Sequence, residues 1–171
     1  MHLIKNYHEI KTEFESIISQ VTNQEFNVKI TILPYPQIYE YTHGNSAAFK
    51  KRFILKDEIW IREMPIPQMF YELSHEAGHA MKPYFGDRDI DAEETKACLF
   101  QQLFCNQIYK SDFNWLEDFA LFKTLRLEHI KHNSPKYLRY HEAASDIAFA
   151  TNQDFNSGSR YINDLLLSLN R

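Results

Sequence analysis

The feature that most limits how this chain can fold is the proline pair Pro65 and Pro67. Before it, residues 27 to 63 carry short runs with apolar side chains at alternate positions. After it, apolar side chains recur at the three-to-four spacing of a helix face. Val28-Lys29-Ile30-Thr31-Ile32, closed by Pro34 and Pro36, reads as a strand. The Tyr-rich segment Ile38 to Thr42 reads as a second strand. Phe53-Ile54-Leu55 and Ile59-Trp60-Ile61, flanking Lys56-Asp57-Glu58, read as a hairpin. Upstream, Leu3, Ile4, Tyr7, Ile10, Phe14, Ile17, Ile18 and Val21 have helical spacing. Downstream, Pro67 suits the first turn of a helix that ends near Met81 or Lys82, ahead of Pro83. A polar loop over 83–91 leads to helices expected near 92–109, 114–132, 135–150 and 158–169, broken by Asn133-Ser134-Pro135 and Asn156-Ser157-Gly158. The expected fold is α+β. A small, mainly antiparallel sheet of three to four strands packs with an N-terminal helix, a central helix after Pro67 and several C-terminal helices.

At 171 residues the chain fits one domain, with residues 1–105 as the sheet-bearing core and 106–171 as a helical part. The formal charge of -4 and the absence of a long Lys/Arg run argue against nucleic acid or an anionic membrane as partner. Four Gly and six Pro against 25 aromatic residues leave little room for linkers. Cys98 and Cys105 lie two helical turns apart, about 10 Å, too far for a disulfide and consistent with reduced core thiols. Met1 to Glu9 lacks the apolar centre of a signal peptide, and Leu165 to Leu169 is far short of the ~20 residues that span a bilayer. A cytoplasmic location is expected.

Chemistry is concentrated in His75-Glu76-Ala77-Gly78-His79. With this composition about 0.03 HExxH matches are expected by chance, so the match is informative before its helical context is added. Residues four apart on a helix differ by about 40° in direction, and both imidazoles can reach one ion. Neutral imidazole suits zinc, and Glu76, between the two ligands in sequence, is placed to take a proton from an activated water and return it to a leaving amine. Gly78 sacrifices about 1 kcal/mol of helix propensity, which hints at close backbone approach. A third ligand is needed. Gly at position 82 and His at position 85 would extend the motif, but Lys82 and Phe85 stand there, and the next histidine is His129. Carboxylates remain in Asp91-Ala92-Glu93-Glu94 at the start of the next helix. Glu94 is favoured because Ala97 and Cys98, one turn on, permit close helix approach. Glu93 is the alternate, aligned with Ala97, Phe100 and Phe104. The carboxylate left over is expected only to favour its helix dipole.

Ile59-Trp60-Ile61, the run Met69 to Ala80 and the Glu-bearing helix after it resemble the ImmA/IrrE group of gluzincin metallopeptidases. The resemblance implies a helix and a three-stranded sheet before the HExxH helix, and a glutamate from the following helix completing a zinc site. It also implies a cytoplasmic protease whose protein substrate is, in some members, a helix-turn-helix transcriptional repressor. The chain has Glu94-Thr95-Lys96-Ala97-Cys98-Leu99 where that group often has Glu-Ala-Asn-x-Phe-Ala. The expected function is a zinc metallopeptidase acting on a protein or peptide, with His75, His79 and Glu94 as ligands and Glu76 as base. The alternative is a non-catalytic module of the same fold that works by binding a partner protein. His129 and His132 share a helical face and could bind a metal, but read better as a solvated basic end. His141-Glu142-Ala143-Ala144-Ser145 lacks the second histidine. Tyr137, Arg139, Tyr140, His141 and Tyr161 form the pool from which an oxyanion-stabilising group would come.

Overall fold

The computed structural model describes residues 7–42, 45–52, 55–86 and 89–169. In chain order the elements are α1 (Tyr7–Thr22), β1 (Val28–Leu33), α2 (Gln37–Thr42), β2 (Ala47–Lys50), β3 (Asp57–Arg62), α3 (Ile66–Ala80), α4 (Ile90–Ile108), α5 (Leu116–Asn133), α6 (Pro135–Ala150) and α7 (Phe155–Leu169). The fold is α+β with a small three-stranded sheet, as the periodicity switch implies. Among the described residues no helix is long and apolar enough to cross a membrane.

The sheet is mixed, which corrects the mainly antiparallel expectation. Its order is β1-β3-β2, with β1 parallel and β2 antiparallel to the central β3. Alternation in a single strand fixes which side chains face the core, but not which strand lies alongside. The segment 38–42 is helical rather than a strand. It begins just after Pro36, and the Thr42 hydroxyl donates back to the Ile38 carbonyl at 3.0 Å. Its tyrosines suit a helix lying on the outer face of the sheet, where Tyr41 packs on Trp60 with ring centroids 5.2 Å apart. A β2–β3 hairpin exists, but its first arm is Ala47–Lys50; Phe53 and Ile54 lie outside the described residues, and Leu55 belongs to the connection.

Pleating sends Ile59 and Ile61 of β3 to the core, both fully buried, while Glu58 and Trp60 face the other way. On the core side α3 packs against β2, β3, α4 and α5, and α4 packs in turn against α1, α6 and α7. Phe14 of α1 joins the sheet end to this helical layer, with its ring against Phe26, Phe70 and Phe104. The α3–α4 contact is close because Gly78 faces Ala97. A Cβ on Gly78 would stand 2.7 Å from the Ala97 Cα and 2.9 Å from its carbonyl oxygen. Helix α7 starts three residues earlier than the spacing predicts. Asp154 caps it by accepting the Ser157 N–H at 2.7 Å, so Asn156, Ser157 and Gly158 lie inside its first turn. The break before it falls at Asn152 and Gln153, which take left-handed backbone angles of 54° and 60°. Cys98 and Cys105 are free and buried.

Candidate metal centre

Helix α3 carries His75 and His79 on the face turned toward the start of α4, and their Nε2 atoms are 3.2 Å apart. The α3–α4 approach at Gly78 brings the first turn of α4 to the same place. Glu94 Oε2 lies 3.4 Å from His75 Nε2, and Glu94 Oε1 lies 3.8 Å from His79 Nε2. Among the described residues, His75, His79 and Glu94 form a group whose ligand atoms all lie within 4.8 Å of one another. Four ligands arranged tetrahedrally at about 2.0–2.1 Å from one zinc stand about 3.4 Å apart, so this triangle has the size of a three-ligand site. Two imidazole nitrogens and one carboxylate are also a donor set that zinc accepts. The cluster sits in a cleft of about 670 Å³ whose walls include Ala47 to Phe49, Tyr84, Gly86, Arg126 and Tyr137.

The adjacent glutamates take different places, since neighbours on a helix point about 100° apart. Glu93, the alternate in the sequence reading, is not in the cluster. Its Oε1 lies 3.1 Å from His79 Nδ1 and 2.8 Å from the Lys96 ammonium. Its Oε2 accepts the N–H groups of Phe85 at 2.9 Å and Gly86 at 3.2 Å. Burial alone would raise the Glu93 carboxyl, but His79, Lys96 and the Phe85 N–H hold it below the ordinary value. For Glu94, burial is likewise outweighed by the hydrogen bond and charge of His75, the charge of His79 and the Tyr137 hydroxyl, and its pKa is held at about 2.

Glu76 lies on the sheet side of the cluster. Its Oε2 accepts the main-chain N–H of Phe49 at 2.7 Å. That N–H is free to do so because of the register. Ser46 and Arg62 are hydrogen-bonded across the β2–β3 ladder, so the Ala48 N–H points toward β3 and the Phe49 N–H toward the open edge. Burial raises the Glu76 carboxyl above its ordinary value, against the lowering influence of His75 and the Phe49 N–H.

Of the pool of oxyanion candidates, the structure brings Tyr137 to the cluster. It stands in the first turn of α6, where Pro135 opens the helix. Its hydroxyl donates to Glu94 Oε2 at 2.8 Å and lies 2.7 Å from His75 Nε2. Arg139 is exposed and Tyr161 is 45% exposed, Tyr140 bonds instead to Asp91, and His141 stands behind Tyr137 with its pKa lowered to about 4 by burial, His75 and Arg126. His129 and His132 lie away from the site; His129 contacts Asn133, and His132 pairs with Glu128 in solvent. Sequence reasoning missed Lys96, fully buried behind Glu93 with no pattern to distinguish it from a solvated lysine. It also missed the Phe49 N–H, whose role depends on strand register. No protein-family model, curated protein or solved structure matches the chain.

Proposed function

We propose that the chain is a zinc-dependent metallopeptidase in which His75, His79 and Glu94 hold the metal and Glu76 moves the proton. The observation that carries this reading is the convergence of those three side chains within 4.8 Å, with Glu76 anchored beside them. A zinc ion held there supplies Lewis acidity toward the scissile carbonyl and toward a water molecule. Glu76 takes the proton of the attacking water and delivers it to the leaving amine. Its anchored Oε2 fixes the carboxylate, and Oε1 is the oxygen left for proton transfer. Tyr137 offers a hydroxyl at the ligand cluster on the cleft wall, suited to the oxygen that gains charge as the amide is attacked.

The resemblance to the ImmA/IrrE group extends the reading to a protein substrate, with a transcriptional repressor as the substrate class it suggests. Two free, buried thiols fit a reducing, cytoplasmic setting. The test is incubation of the zinc-loaded chain with a peptide library cut from a whole proteome, followed by mass spectrometry of new termini. Cleavage that disappears on chelation and in Glu76→Gln, with zinc still bound by the variant, supports the reading. Equal cleavage by Glu76→Gln defeats it.

A further inference from the structure

Glu93 is saturated. One oxygen serves His79 Nδ1 and the Lys96 ammonium, and the other takes the N–H groups of Phe85 and Gly86. It therefore touches a proposed ligand with one oxygen and the 81–86 segment with the other. That segment supplies Tyr84 and Gly86 to the cleft wall. Lys96, with no exposed surface, closes the arrangement. Besides Glu93 it donates to the carbonyls of Met81 at 2.8 Å and Pro83 at 3.0 Å, so the same ammonium holds both the carboxylate and the chain leaving α3. A histidine that ligates through Nε2 is oriented by the partner of its Nδ1.

We infer that Glu93, backed by Lys96, is a positioning residue that couples metal binding at His79 to order in the 81–86 wall of the cleft. This rests on the zinc reading above. Coupling of this kind is reciprocal: a metal that fixes the His79 ring favours the Glu93 position that the Phe85 and Gly86 N–H groups require, and an ordered wall favours the metal.

The experiment uses the full chain, stripped of metal and then titrated with zinc, with amide hydrogen exchange followed at Phe85 and Gly86. Zinc affinity is measured against a chromophoric chelator, and cobalt(II) substitution reports ligand geometry by its visible spectrum. Glu93→Gln leaves the Lys96 charge buried without its partner, so the double variant Glu93→Gln/Lys96→Met is made as well, removing both charges. Glutamine has one acceptor oxygen in place of two and cannot serve His79 and the wall together. The expected result is slower Phe85 and Gly86 exchange on zinc binding by the wild type. In the folded double variant, that response is lost, zinc affinity falls about 10–100-fold and the cobalt spectrum is altered. A folded double variant with wild-type affinity, spectrum and zinc-dependent protection overturns the coupling while leaving the zinc reading intact. A wild-type chain that takes up no zinc overturns both.

Discussion

Replacing Gly78 by Ala sets helix propensity against packing. In an isolated helix the change would gain about 1 kcal/mol. Here the added Cβ meets the Ala97 Cα at 2.7 Å, its carbonyl oxygen at 2.9 Å and the Phe100 Cβ at 3.1 Å. Two of these atoms are backbone, so no rotamer change relieves them. Ordinary contact begins at 3.4 Å, and α3 and α4 must separate by about 0.7 Å. Overpacking of this kind costs about 1–3 kcal/mol, and after the propensity gain a net loss of up to about 2 kcal/mol is expected. For a domain of this size that lowers Tm by up to about 8 °C. The effect on the site should be larger than the effect on stability. Glu94 lies one turn before Ala97, and a shift of about 0.7 Å exceeds the ±0.2 Å within which metal–ligand distances hold. Calorimetry and a zinc competition titration on the same preparation measure both. The expected outcome is a Tm lowered by no more than about 8 °C with zinc affinity down at least about tenfold, the lower end of the loss seen when a site's supporting contacts are removed. Unchanged or raised Tm together with wild-type zinc affinity would refute it.

Other outcomes follow from the same geometry. Tyr137→Phe removes the hydroxyl that points into the cleft and should lower kcat about 10²-fold with little change in KM, measured on any peptide the wild type is found to cut. Burial would raise the Glu58 carboxyl, but the Thr31 hydroxyl, Lys29 and Arg52 hold it below its ordinary value of 4.5. Because the folded form binds the proton more weakly than the unfolded form, Glu58 contributes stability above about pH 4.5 that is lost as pH falls through its folded pKa. Glu58→Gln should therefore flatten the acid limb of a Tm-against-pH curve, and an unchanged limb would count against the network. Burial pushes the Cys105 thiol up to about 12 and the Cys98 thiol higher still, so neither should react with iodoacetamide at pH 8 until the chain is unfolded, as mass spectrometry would record.

The sequence made some parts of this arrangement legible and hid others for definite reasons. The α3 site helix could be read because Pro67, the HExxH spacing and Pro83 are local signals, and the α4 approach because Gly78 and Ala97 both lack bulk. Ala97 and Cys98, one turn on, favour Glu94 over Glu93, and the triangle of ligand atoms agrees. What Glu93 does instead was hidden, since its four partners come from α3, α4 and the connecting loop and share no periodicity. Lys96 was hidden more deeply, because lysine is almost never fully buried unless paired, and its pairing is a tertiary fact. The mixed sheet was missed for a related reason. Residues 28–33 and 57–62 show where their side chains face, but the parallel pairing is a non-local choice. The helix at 37–42 overrode its tyrosines' β preference through the turn after Pro36 and its seat on the sheet. Tyr137 stood among five candidates until the α5–α6 turn placed its hydroxyl against Glu94.

In the proposed function, His75, His79 and Glu94 together hold one zinc ion. The most direct test is metal content by plasma mass spectrometry on untagged protein, dialysed after zinc addition, for the wild type and Glu94→Ala side by side. One zinc per wild-type chain, with most of it lost from a folded Glu94→Ala variant, is the predicted result. No zinc in the wild type, or full zinc retained by Glu94→Ala, would contradict it.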